Sequence, residues 1–246
     1  MRSIVLTIAG SDSSAGAGIQ ADLATFARFG VRGATAITAI TAQNERGVIA
    51  WAAVEAGLVR AQIDAIDGVQ AVKTGMLANA AIVETVAEAI AQRGIRLYVL
   101  DPVTIAGTGH ALASGDLVPV IVEHLVPLAD LVTPNLGEAA ALLGSPVRDT
   151  ASMARDLFQR FGRAFLVKGG HVGGDTATDV LCDSDGVRYF RRPRVNVRTH
   201  GTGCRLSAAI AANLALGASL DSAVQTAGDF VHEFIAGLIP SIRTDG

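Results

Sequence analysis

Apolar residues are arranged in two ways along this chain. Short, mostly apolar runs occur at Ile4 to Ala9, Ala34 to Ile40, Ala71 to Thr74, Leu97 to Leu100, Leu131 to Thr133 and Phe165 to Val167. Between them lie longer stretches in which apolar positions recur every three or four residues. The runs predict buried strands and the periodic stretches predict amphipathic helices. Helices are expected over Ile19 to Phe29, with Ile19, Leu23 and Phe26 on one face and Gly30 as C-cap, and over Val54 to Ile66. Another follows Asn79 as N-cap, with Ile82, Val83, Val86 and Ile90 sharing a face, and Met153, Leu157 and Phe161 mark the next. Leu206, Ile210 and Leu214 begin a further helix, and Asp221 is expected to cap the last one, through Phe234. Val180 to Cys182 and Val187 to Phe190 read as an antiparallel pair about an Asp185-Gly186 turn. The remaining alternation of strand, loop, helix and strand is the grammar of an α/β protein with a mostly parallel sheet.

Composition narrows the function classes. With 246 residues, 50% hydrophobic and 17% charged, the chain has ample material for a core, and no linker divides it, so one domain spanning 1–246 is expected. A net charge of −3 argues against nucleic-acid and membrane-surface partners, and 4% aromatic residues leave little stacking surface. No apolar run is long enough to span a bilayer. Cys182 and Cys204 form neither a disulfide framework nor a paired metal motif, which suits a cytoplasmic setting. His110, His124, His171 and His232 show no metal-ligand spacing.

The polar residues are placed systematically. Asp101, Asn135 and Lys168 each stand just after an apolar run. In an open α/β sheet the carboxyl ends of the strands line the ligand crevice. An acid, an amide and a cation delivered there suit a nucleotide and metal site, with Asp101 holding Mg²⁺ through water. Asn135 and Glu138 also have the spacing of a helix capping box, but Asp101 one strand away favours a metal and phosphate role. Gly201 and Gly203 precede a buried helix, so backbone N–H groups and the helix dipole point at one place, where a phosphate or oxyanion fits. Thr202 lies between them, and Cys204 falls in the first helical turn, where a lowered thiol pKa is expected. His200 beside them reads as a proton carrier or a structural residue. Gly10 to Gly18 is a small-residue loop lacking a P-loop lysine, either a plain turn or a close backbone approach. Asp12 and Asp22 read as caps or binding acids, and Gln43-Asn44 as a turn or an amide pair for a heteroaromatic ring.

Taken in order, the motifs resemble those of the hydroxymethylpyrimidine/phosphomethylpyrimidine kinases of thiamine biosynthesis, in the ribokinase-like superfamily. The resemblance rests on Ala9-Gly-Ser-Asp-Ser-Ser-Ala-Gly-Ala-Gly-Ile-Gln-Ala-Asp-Leu23, Ile40-Thr-Ala-Gln-Asn-Glu-Arg-Gly47, Lys73-Thr-Gly-Met-Leu77, Leu100-Asp-Pro-Val103, Thr133-Pro-Asn-Leu-Gly-Glu-Ala139, Val167-Lys-Gly-Gly-His171 and Thr199-His-Gly-Thr-Gly-Cys204. It implies a three-layer α/β/α sandwich, ATP and Mg²⁺ as cofactors, a small aminopyrimidine as substrate and a homodimer. It implies that Gly10, Asp22, Gln43 and Val103 hold the pyrimidine and that Asp101 and Glu138 organise magnesium. Asn135 and Lys168 would contact phosphate, Gly201, Thr202 and Gly203 would form the anion hole, and Cys204 would act as base. The chain departs from the family pattern at Ala15, where glycine is common, at Thr104, Gly107 and Arg198, and in its short C-terminal tail. Two rivals stand beside this expectation. One is a pyridoxal kinase, against which Gln43 speaks; the other is a non-catalytic pyrimidine sensor, against which Asp101, Lys168 and Cys204 together speak.

Overall fold

The structure is a computed structural model that describes residues 2–44, 46–103, 116–170, 174–197 and 199–238. Thr104, Gly107, His110, His171, Arg198 and the tail from 239 onward lie outside the described residues. The strands are β1 (Ile4–Asp12), β2 (Arg32–Asn44), β3 (Gly47–Ala53), β4 (Val69–Thr74), β5 (Tyr98–Leu100), β6 (Leu131–Val132), β7 (Ala164–Val167), β8 (Thr176–Asp183) and β9 (Gly186–Pro193). They form one sheet in the order β3-β2-β1-β4-β5-β6-β7-β8-β9. β2 through β7 run parallel in that order, while β3 at one edge and the β8–β9 hairpin at the other are antiparallel.

The helices are α1 (Gly18–Arg28), α2 (Ala56–Asp64), α3 (Ala80–Gln92), α4 (Val118–His124), α5 (Leu136–Leu143), α6 (Thr150–Phe161), α7 (Thr202–Ala215) and α8 (Leu220–Ala236). α1, α7 and α8 pack together on one face of the sheet, and α2 to α6 cover the other, giving the three layers expected. Successive strand residues serve opposite layers, as the pleat requires. Val5, Ala71, Val99, Leu131 and Leu166 face α1, α7 and α8, while Leu6, Val72, Leu100, Val132 and Val167 face the other helices. Both faces are buried, which is why these strands read as mostly apolar runs rather than alternating ones. Ala208 to Ala212 in α7 are fully buried. Their small side chains let α7 lie directly over β1, β4 and β5.

The chain order places the functional edge. β1 leads through α1 to β2 on one side, and the later parallel strands then grow outward from the other side of β1. The order therefore reverses between β1 and β4, and the crevice beyond their carboxyl ends is the place for a ligand.

Several local expectations are corrected. β1 and β2 continue beyond their apolar runs into Ser11-Asp12 and Gln43-Asn44. β3 was not legible, because an edge strand with Ile49 75% exposed has no alternating pattern to reveal it. α2 begins at Ala56 rather than Val54, since the Glu55 carboxylate caps it by accepting from the N–H groups of Gly57 and Leu58. α4 has no periodic signature in its Val-Pro-Val-Ile-Val run. Ser219, not Asp221, is the N-cap of α8: Ser219 has extended backbone geometry and its Oγ accepts from Ser222 N–H. Asp221 lies in the first turn and pairs with Arg188 on β9.

This assignment has a measurable consequence. In urea unfolding, Ser219→Ala should cost about 1 kcal/mol through loss of the cap. Asp221→Ala should cost no more than about 0.5 kcal/mol, because its ion pair is exposed. The reverse ranking would restore Asp221 as the cap.

Candidate active site

The strand ends bring the expected acid, amide and cation together. Asp101, just past β5, is 1% exposed. Its Oδ1 accepts from Lys168 Nζ at 2.9 Å and from Thr133 Oγ1 at 3.3 Å, and its Oδ2 from Ser207 Oγ at 3.2 Å. Lys168, just past β7, also lies 3.8 Å from Glu138 Oε2. Asn135 is the N-cap of α5 and forms a full capping box with Glu138: Asn135 Oδ1 accepts from Glu138 N–H at 2.9 Å, and Glu138 Oε2 accepts from Asn135 N–H at 2.7 Å. The capping box is therefore real, and it is also what fixes Glu138 beside Lys168. A parallel bridge between Asn135 and Lys168 extends the sheet to this point.

Charge and burial compete at these groups. Burial raises the Glu138 carboxyl to about 7, helped by the nearby Asp101 charge and opposed by Lys168. Burial works against the Asp101 charge too, but Lys168 and Lys73 outweigh it and hold its pKa below the usual carboxylate range. Lys168 is pushed up by Asp101 and Glu138 in spite of burial.

The start of α7 meets this cluster. Gly201 is its N-cap, at φ +76°, and a Cβ there would come within 2.0 Å of Gly16 O. Positive φ and close backbone approach together explain the need for glycine. A Cβ on Gly203 would stand 3.2 Å from Lys168 Nζ, so the ammonium sits against the first turn of α7, which begins at Thr202. No side chain caps this helix start. The Gly18 N–H, at the start of α1, lies near enough to Cys204 to favour its charged form.

The expectation of a lowered Cys204 pKa is overturned. Burial pushes the thiol up, Asp22 and Asp101 add to this, and Lys73 with the Gly18 N–H opposes it without prevailing. Burial therefore favours the neutral thiol form of Cys204.

The first glycine loop is docked on the second. His200 Nε2 lies 3.4 Å from Ser14 Oγ and 3.6 Å from Asp12 Oδ2. Arg205 donates to Gly16 O at 2.5 Å and Gly201 O at 3.3 Å, and its guanidinium stacks 4.1 Å from the Phe234 ring centre. His200 and Arg205 thus hold two loops together. Asp12 is a loop organiser: its carboxylate accepts from Ser14 N–H, Ser14 Oγ and Ala17 N–H. Ala15, where the family favours glycine, has φ +59°, a left-handed conformation that strains an L side chain by about 1 kcal/mol. Gln43 sits at the end of β2 with this loop, its N–H donating to Ser13 Oγ.

Asp22, on α1, is fully buried. Its Oδ2 accepts from Thr7 Oγ1 at 2.6 Å and Lys73 Nζ at 2.8 Å, while Oδ1 is buried without a partner. Gly10 is close by in sequence at the β1 bulge, and a Cβ on it would lie 2.9 Å from Met76 Sδ. Val103 follows Asp101 and packs at the edge of the larger core. Among the described residues, neither Gln43 nor Val103 bonds to Asp22. Lys73 was the residue whose part the sequence did not disclose. The signal was there: a lysine inside the apolar run of β4.

The acids fit Mg²⁺ only in one manner. Among the described residues no group of three or more His, Cys, Asp or Glu is placed to hold a metal ion. Both Asp101 oxygens already have donors, and Glu138 Oε2 serves the capping box. Two carboxylates beside an ammonium suit an ion that keeps most of its water and takes further ligands from phosphates. No described helix is long and apolar enough to cross a membrane.

A sequence model described as phosphomethylpyrimidine kinase matches residues 12–243. A hydroxymethylpyrimidine/phosphomethylpyrimidine kinase of Rhizobium meliloti (strain 1021) is 48% identical over 244 residues, covering 96% of this chain and 91% of that protein. The crystal structure of a phosphomethylpyrimidine kinase from Clostridium difficile 630 is similar at a TM-score of 0.83 and 34% identity, covering 95% of this chain and 100% of that one. A pyridoxal kinase from Staphylococcus aureus, in complex with pyridoxal, is similar at a TM-score of 0.87 and 31% identity, covering 96% of this chain and 88% of that one. The fold is that of ribokinase-like kinases, and the chain belongs to the phosphomethylpyrimidine kinase family.

Proposed function

We propose that this protein transfers the γ-phosphoryl group of ATP to the hydroxymethyl oxygen of 4-amino-5-hydroxymethyl-2-methylpyrimidine. The resulting monophosphate is then phosphorylated to the diphosphate. The observation that carries this reading is the convergence of Lys168, the start of α7 and Cys204 beside the buried Asp22 carboxylate. It supplies an anion site and a polar anchor for a heteroaromatic ring within one crevice.

Catalysis here is mainly positioning and charge neutralisation. Lys168 and the N–H groups of Thr202 and Gly203 face the charge that develops on the transferred group. Asn135 contacts phosphate. Asp101 and Glu138 would hold Mg²⁺, which would supply neutralisation of phosphate charge. Gly10, Asp22, Gln43 and Val103 line the pyrimidine, with Asp22 accepting from its amino group. Cys204 Sγ, in its thiolate form, takes the hydroxyl proton. His200 keeps the two glycine loops in register. The thiolate fraction grows as pH rises, and the raised thiol pKa moves that growth to more alkaline pH. The chain works in the cytoplasm as a homodimer within this reading, without nucleic acid or membrane. Ile40 and Ile49, 62% and 75% exposed at the β2–β3 edge, supply apolar surface for pairing.

The similarity to a pyridoxal kinase makes substrate competition the decisive assay. With aminopyrimidine, pyridoxal and ATP in one reaction, mass-resolved products should be the pyrimidine monophosphate followed by the diphosphate. Predominant pyridoxal phosphate would overturn the assignment. Cys204→Ala should lower kcat about a hundredfold while retaining pyrimidine binding, and should flatten the alkaline rise of the kcat profile. Full activity in that variant would remove Cys204 from the proton transfer.

A further inference from the structure

Lys73 is the most anomalous side chain in the sheet. It stands in β4, one of the two strands that flank the reversal of strand order, and its side chain is 0% exposed. A buried ammonium is tolerated only with a close anion. Its partner is Asp22, equally buried, at 2.8 Å. Replacing such a pair with apolar residues usually costs little or even stabilises a protein, so stability alone does not explain its presence.

The arrangement of the pair is informative. Lys73 Nζ and Thr7 Oγ1 both bond to the same oxygen, Asp22 Oδ2. The carboxylate is thereby clamped on one side, and Oδ1 is left buried with no partner. Unpaired buried carboxylate oxygens are rare, because the lost hydration is not replaced. A hydrogen-bond donor is what this oxygen lacks, and an N–H group on a ligand is one way to supply it. We propose that Lys73 is a positioning residue for the pyrimidine, acting with Thr7 through Asp22 to present Oδ1 as a charged, fixed acceptor for the amino group of the ring.

The choice of ring follows from the same geometry. An amino group donates to a carboxylate oxygen, whereas a ring that offers a phenolate oxygen at that position presents a lone pair to a negative charge. Burial raises the Asp22 pKa, and among the neighbours of Asp22 the Lys73 charge is the main counterweight that favours the charged acceptor form. Lys73 thus favours aminopyrimidines over phenolate-bearing pyridines without touching either. It also faces Asp101 and Cys204, so its fixed charge links the ring anchor to the phosphate end of the crevice.

This inference rests on the aminopyrimidine kinase reading, and the experiment separates the two. Steady-state kinetics and thermal unfolding are compared for the wild type, Lys73→Met, Asp22→Asn and the Asp22→Asn/Lys73→Met double variant. Lys73→Met should raise KM for the aminopyrimidine about 10- to 100-fold, the equivalent of one charge-assisted hydrogen bond. KM for ATP should change by less than about threefold, since Lys168 and α7 remain. Lys73→Gln, which keeps a donor toward Oδ2 but no charge, should fall between. The double variant should melt higher than Lys73→Met, because no buried charge is left unpaired, yet bind the pyrimidine no better than Asp22→Asn alone.

A merely structural Lys73 would give the opposite pattern, with KM recovering as the melting temperature recovers. That result would overturn the proposal, as would an unchanged pyrimidine KM in Lys73→Met. If Lys73→Met does not fold, the comparison of Asp22→Asn with the double variant decides. Equal KM values support action through Asp22, and a further large rise in the double variant refutes it. A wild type that turns over pyridoxal but no aminopyrimidine would defeat the functional reading itself, and this inference with it.

Discussion

Two lysine ammonium groups are buried at the carboxyl edge of the sheet, and neither can stay there without a carboxylate. Lys73 is matched by Asp22 and Lys168 by Asp101. An unpaired charge at either place would cost several kcal/mol, a large part of a typical domain's stability. This requirement fixes how the elements meet. α1 must bring Asp22 back over β1 and β4, and the end of β5 must reach the end of β7 across β6. The two pairs are coupled through space, since Asp101 feels both ammonium groups. They divide the crevice into an end suited to a polar ring and an end suited to phosphate.

Packing brings the anion-binding backbone to that divide. The fully buried alanines of α7 allow the helix to approach the sheet closely, which carries its first turn to Lys168. A bulkier face there would lift the helix and separate the ammonium from the N–H groups that share its ligand. The two glycine loops then lock together through Gly16, Gly201, His200 and Arg205. The strained Ala15 lies in this seam. Residues that looked like candidate chemistry on the page, His200 and Arg205 among them, spend their polar atoms on holding the loops.

Much of this was legible in the sequence, and the reason is physical. Strands buried on both faces must be apolar throughout, so their polar ends stand out, and Asp101, Asn135 and Lys168 could be read as one edge. Helix faces followed from the 3.6-residue period. Four features were not legible. β3 is an exposed edge strand without a buried face to impose a pattern. The last cap was assigned to Asp221, because Ser219 and Asp221 are both good cap formers and only the backbone geometry separates them. The direction of the Cys204 shift depends on a balance of burial against Lys73, Asp22 and Asp101, which come together only in three dimensions. The pairing of Lys73 with Asp22 was hidden for the same reason: the residues lie 51 positions apart.

The most direct measurement is a crystal structure of the protein with the aminopyrimidine and a non-hydrolysable ATP analogue bound together. The account predicts the ring amino group on Asp22 Oδ1, the hydroxymethyl oxygen beside Cys204 Sγ, and the terminal phosphate between Lys168 and the first turn of α7. A pyrimidine bound elsewhere, with Asp22 Oδ1 still unpartnered and the terminal phosphate away from Lys168, would contradict it.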